Sequence, residues 1–158
     1  MIDGVEITDL FHHRDPRGEV FHFMRSSWDQ YAGFGEVYFS SVNKSVVKGW
    51  HLHNRMDMNY VCVVGDIRVV LYDDRGGSPT RKEIMEVHLG GYPTFSAYKL
   101  LSIPHGVWNG FRAIGDSVWT PAIIGNFATT EYDPEDIHRV HPRDAGIPYD
   151  WGPYEIAG

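Results

Sequence analysis

The sequence predicts an all-β chain of the jelly-roll barrel type on three observations: short β-rich runs recur along it, turn-forming residues stand between them, and no long amphipathic helical period interrupts the rhythm. Its 158 residues suit one hydrophobic core, so residues 1–158 are read as a single domain. Hydrophobic residues make up 42% and aromatics 14%, enough apolar bulk to fill a barrel interior.

The β-rich runs fall at 37–42, 45–53, 60–64, 67–72, 84–89, 100–103 and 118–127. Between them stand Gly65-Asp66, the segment 73–77, Gly90-Gly91, Pro104-His105-Gly106 and Gly115-Asp116, residues that supply positive φ or local side-chain bonds to turns. Residues 27–33 are expected to make a short peripheral helix capped by Ser27, and Asp133-Pro134-Glu135 a turn or helix start. The polar, Pro-rich tail over 142–153 is expected to wrap the barrel.

The net charge is −7 and no run of Lys or Arg is present, which argues against a nucleic-acid polymer as partner. No window approaches the roughly 20 apolar residues of a membrane helix, and the N-terminus has neither a basic nor an apolar leader segment, so a cytoplasmic protein without membrane attachment is expected. The single Cys62 sits in an apolar run and reads as a small buried hydrophobe.

The chemistry concentrates in Lys48-Gly49-Trp50-His51-Leu52-His53, where the strand pleat puts His51 and His53 on one face and Trp50 and Leu52 on the other. A neutral imidazole facing a partly dry interior can accept a proton. His51 and His53 followed by Asp57 resemble the ligand set of metal cupins. The position of the further His in that pattern, after Pro104-His105-Gly106-Val107-Trp108, is Asn109, so a metal-free site without cofactor is expected.

Read together, Asp15-Pro16-Arg17-Gly18, Lys48-Gly49-Trp50-His51, Ile103 through Phe111, Tyr132-Asp133-Pro134 and the terminal Ile147-Pro148-Tyr149-Asp150-Trp151 resemble the ordered motifs of the dTDP-4-dehydrorhamnose 3,5-epimerases. The resemblance covers nearly the whole chain and implies a cupin-type homodimer acting on a small nucleotide-sugar substrate without metal. It also implies that His51 removes the proton beside the sugar ketone. A base on one face and hydrogen-bond donors at the oxygen are what such an enolisation needs.

Three positions depart from the family pattern. The Tyr that returns a proton from the opposite face stands six residues before the motif Tyr matched by Tyr132, and that slot holds Asn126, whose amide can hydrogen-bond an enolate oxygen but not deliver a proton in turnover. Tyr60 and Tyr132 are then the candidate acids. The diphosphate-binding Arg is Lys48, which a regular pleat would turn away from His51 unless Gly49 carries a bulge, and Arg17 becomes the stronger phosphate candidate. The C-terminal carboxylate that orients the catalytic His has no counterpart.

Trp108 and Tyr132 are candidates to pack on a base or sugar, with Asn109 beside them. The leading reading is an epimerase inverting C3, C5 or both of a nucleotide-linked 4-keto-6-deoxy sugar. A 3,4-ketoisomerase of the same sugars, which would give His53 a role, and a non-catalytic sugar-nucleotide binder are the alternatives.

Overall fold

The computed structural model describes residues 1–115 and 121–158. Its strands are β1 (Glu6–Asp9), β2 (His12–Asp15), β3 (Gly18–Phe21), β4 (Glu36–Val42), β5 (Val46–His53), β6 (Met58–Val64), β7 (Asp66–Asp73), β8 (Ile84–Gly90), β9 (Lys99–Ile103), β10 (Val107–Ala113), β11 (Ala122–Ala128), β12 (Ile137–Arg139) and β13 (Ile156–Ala157). The run expected over 118–127 corresponds to β11, with residues 118–120 and Asp116 of the preceding turn outside the described residues.

A five-stranded sheet runs β1-β9-β6-β11-β4 and faces a six-stranded sheet ordered β12-β5-β10-β7-β8, with β13 added to β5; β2 and β3 form a separate hairpin. The jelly-roll architecture follows, with the two sheets remaining separate in their hydrogen bonding rather than joined into a closed barrel.

Alternation along the strands explains the layering. In β7, Ile67, Val69 and Leu71 enter the core between the sheets, where Met58, Tyr60, Leu101 and Ile124 meet them. Val70 and Tyr72 point the other way, into a second cluster with Val47, Trp50 and Trp151. That outer face is covered by the tail, which contributes Ile147, Tyr149 and Tyr154 and is held by Arg112, whose guanidinium donates to the carbonyls of Trp151 and Pro153. A third cluster, Leu10, Val61, Tyr98 and Leu100, lies under Phe21, Phe23 and Trp28 on the far side of the five-stranded sheet.

The expected peripheral helices are not formed among the described residues. Residues 27–33 instead make consecutive turns, Trp28 N bonding to Arg25 O and Tyr31 N to Trp28 O at 3.0 Å each. So short a segment gains too few hydrogen bonds to offset helix nucleation, and Trp28 is held by the third cluster and Tyr31 by Phe127. Asp133-Pro134-Glu135 closes a turn in which Asp133 Oδ1 accepts from Glu135 N at 2.8 Å.

Candidate active site

The register of β5 against β10 slips at Gly49: His51 pairs with Asn109, while Gly49 pairs with Gly110, leaving Trp50 as an extra residue. This bulge shifts the pleat by one position, so Lys48 and His51, three residues apart, both face the space between the sheets. Trp50 is turned outward into the cluster beneath the tail. Glycine is required at 49, where a Cβ would stand 2.8 Å from Gly110 Cα, and the strands are close enough that one on Gly110 would stand only 3.1 Å from Lys48 O.

His51, His53 and Lys48 share a cavity of about 260 Å3 with Tyr38, Ser40, Tyr60 and Arg139. It adjoins a second hollow of about 350 Å3 whose wall includes Tyr38, His53, Tyr132 and Arg139. Burial lowers the His51 pKa from 6.5 to about 4, with the charges of Arg139, His53 and Lys48 adding to the effect. At neutral pH the imidazole is therefore uncharged, the form that accepts a proton. Asn109, wholly buried, steadies it from beneath by donating from Nδ2 to the His51 carbonyl at 3.0 Å.

The other sequence-derived candidates divide between cavity and scaffold. Lys48 donates from Nζ to Ser40 Oγ at 2.9 Å, crossing from the six-stranded to the five-stranded sheet. His53 is buried and hydrogen-bonded through Nδ1 to Asp136 Oδ2 at 3.0 Å, and Arg55 Nε also meets this carboxylate, at 3.3 Å. Burial alone would raise the Asp136 pKa; the bonds from His53, Arg55 and Met56 N hold it below the ordinary carboxylate value. Tyr60 lines the cavity, but its hydroxyl is directed to Met58 Sδ at 3.1 Å and Asn109 Oδ1 at 3.3 Å.

Four candidates lie off the His51 cavity. Trp108 packs against the cluster outside the six-stranded sheet. Tyr132, 55% exposed, lines the second hollow instead. Arg17 sits at the β2–β3 hairpin turn, 90% exposed and paired with Asp15 at 2.6 Å. Asn126 is fully buried behind the cavity wall.

The possible metal set is not assembled either: Asp57 accepts from His105 N and Nδ1 at 2.8 and 2.7 Å, while His53 is engaged by Asp136. Among the described residues no cluster of three or more His, Cys, Asp or Glu is placed to hold a metal ion.

Sequence reading missed Tyr38, Ser40, Asp136 and Arg139. Arg139 comes to the cavity because β12 pairs with β5, setting Arg139 opposite His51. A three-residue strand leaves almost no periodic signal, and the pairing is long-range.

The geometry has relatives. The family model for dTDP-4-dehydrorhamnose 3,5-epimerase matches residues 1–157. The chain belongs to that family. It is 38% identical over 151 residues to a probable low-salt glycan biosynthesis epimerase of Haloferax volcanii, covering 94% of this chain and 89% of that protein. The crystal structure of a dTDP sugar isomerase from Desulfovibrio desulfuricans superposes with a TM-score of 0.86 at 38% identity, covering 95% of this chain and 92% of the other.

A 4-keto-6-deoxy sugar epimerase from the novobiocin gene cluster of Streptomyces spheroides gives a TM-score of 0.82 at 25% identity, covering 98% of this chain and 79% of that one. The all-β cupin-type fold is thus that of the epimerase family, and the chain is an isomerase of the sugar-epimerase kind.

Proposed function

We propose that this epimerase inverts C3, C5 or both of a nucleotide-linked 4-keto-6-deoxy sugar, with His51 as the base that removes the proton beside the ketone. The observation that carries the reading is His51 itself, an uncharged imidazole in a partly dry cavity flanked by Lys48 and Arg139. Enolisation puts negative charge on the ketone oxygen, and two cations beside the base favour that charge and the diphosphate of the substrate. Asn109 fixes the strand that carries the base.

In this reading the nucleotide sugar lies across the paired hollows, and Tyr132 and Tyr38 offer it aromatic surface in the second. We further propose a cytoplasmic homodimer. Support for the dimer comes from strand β4, an edge strand of its sheet that exposes Val37 and Phe39 at 42% and 63%.

Proton NMR with dTDP-4-keto-6-deoxyglucose in heavy water tests the activity. Exchange at C3 or C5 with inversion and no ketone migration is the expected result. A 3-keto product would replace the reading with the ketoisomerase, and binding without exchange would make the chain a sugar-nucleotide binder.

A further inference from the structure

Two tyrosines, Tyr38 and Tyr60, line the His51 cavity, and they differ in what their hydroxyl protons do. Tyr60 spends its proton on Met58 Sδ and Asn109 Oδ1. Tyr38 is an acceptor: Asn126 Nδ2 donates to its oxygen at 3.0 Å. The orientation of Asn126 is fixed independently, because its Oδ1 accepts from the backbone N of Asn59 at 3.0 Å, and a backbone N–H can only donate. The amide must therefore present its NH2 to Tyr38, and no acceptor among the described residues takes the Tyr38 proton. That proton is free to point into the cavity.

Position agrees with this. Tyr38 on β4 sits directly opposite Asn126 on β11 in the five-stranded sheet, whereas His51 projects from the six-stranded sheet. A ring held between them is reached by the imidazole from one sheet and by the phenol from the other.

From this geometry we infer that Tyr38 is the acid of the epimerisation, returning a proton to the face opposite His51, with Asn126 as the positioning residue that orients its hydroxyl. The inference rests on the epimerase reading above. It accounts for the Asn in the slot where the family pattern has Tyr, since the phenol is supplied by the neighbouring strand and the Asn steers it.

The step balances. His51 takes the proton from the carbon beside the ketone, and the C–H electron pair becomes the enolate, its charge on the ketone oxygen. The enolate then takes the Tyr38 proton on its other face, re-forming the ketone and leaving a phenolate. Proton transfer through solvent from the imidazolium to the phenolate resets both groups. Burial raises the Tyr38 pKa against the opposing effect of the Asn126 hydrogen bond, so the phenol enters the reaction protonated, and the Asn126 donor remains in place for the phenolate.

The test compares wild type, Tyr38→Phe and Asn126→Asp on dTDP-4-keto-6-deoxyglucose in heavy water, each checked for cooperative unfolding. Inversion and deuterium entry are followed separately. In Tyr38→Phe, inversion is expected to fall by at least about 100-fold, the scale of a lost general acid. Deuterium should still enter with retained configuration, through His51 giving back an exchanged proton on its own face.

Asn126→Asp keeps the acceptor for Asn59 but turns an acceptor toward Tyr38, drawing its proton out of the cavity. It should show the same split between exchange and inversion, which a merely structural residue would not produce. Wild-type inversion in Tyr38→Phe, or equal loss of exchange and inversion in the folded variant, would overturn the role of Tyr38 and leave the epimerase reading standing. Absence of both exchange and inversion in wild type would overturn the epimerase reading, and the role of Tyr38 with it.

Discussion

Asp136 holds His53, not His51: the carboxylate accepts from His53 Nδ1 at 3.0 Å, with both side chains buried. The imidazole proposed as base is left without a carboxylate partner among the described residues, while its neighbour two positions along β5 is locked in place. Two histidines on one strand face thus have different standing, one without a carboxylate partner and the other clamped by one. His51→Asn is expected to abolish exchange at C3 and C5, whereas His53→Asn should leave exchange measurable, as NMR in heavy water would read. The reverse pattern would shift the base to His53 and favour ketone migration.

Removing Asp136 has a structural consequence as well. Asp136→Ala leaves His53 buried without its acceptor, while Arg55 keeps its bond to Asp133, and a buried polar group left unpaired costs about 1–3 kcal/mol. Urea denaturation should show the loss as a lower midpoint with an unchanged slope. Because burial and hydrogen bonding together leave the Asp136 pKa lowered, its contribution is present above the unfolded carboxylate value near 3.8 and is lost as pH falls through the folded one.

His51 gives stability a second pH dependence of opposite origin. Its folded pKa of about 4 lies below the unfolded 6.5, so between these values the unfolded chain binds a proton that the folded one refuses. Acidification from pH 6.5 to about 4 should therefore destabilise the protein through this residue, with no further loss below that. Burial sets most of this window, with the charges of Arg139 from β12 and of His53 and Lys48 from β5 adding to it; the Tyr38 and Tyr60 phenols also face the cavity. The melting temperature of wild type should therefore fall relative to that of His51→Gln as pH drops through this range, and parallel curves would overturn the assignment.

Much of the fold was legible in advance. The runs that became β4 to β9 carry alternating or continuous apolar residues bounded by Gly, Asp and Pro, and local chemistry of that kind survives into the structure. β10 was not, because Val107-Trp108-Asn109-Gly110-Phe111 mixes a buried Asn and a Gly into the strand, and its character comes from pairing with β5 and β7. The site divides the same way. His51, His53 and Lys48 lie on one short stretch whose periodicity can be read, up to the bulge at Gly49. Tyr38 meets Asn126 only through the β4–β11 register, across 88 positions of sequence, and no spacing rule reports that distance.

Lys48 and Arg139 are the cations of the cavity, and their removal separates binding from chemistry. Lys48→Ala loses one charge-assisted contact, a change on the order of 1.5–3 kcal/mol for a bond to a charged group, which lowers affinity about tenfold or more. Titration calorimetry with dTDP should show this weakening together with a flatter salt dependence. Unchanged dTDP affinity in both Lys48→Ala and Arg139→Gln would place the diphosphate elsewhere and reserve these cations for the enolate.

Gly49 is the hinge of the whole arrangement, because the bulge there is what brings Lys48 and His51 to the same side. In Gly49→Ala the new Cβ would stand 2.8 Å from Gly110 Cα, backbone that cannot rotate away, so β5 and β10 must separate. Overpacking of this kind costs about 1–3 kcal/mol, and the displacement falls on the strand pair that carries the base. Activity should drop more than stability, with the variant folded by circular dichroism yet slow in deuterium exchange. Gly76→Ala, where a Cβ meets nothing within 4 Å, is the matched control and should leave both unchanged. Equal behaviour of the two variants would mean that the base keeps its place without the close approach of Gly49 to Gly110.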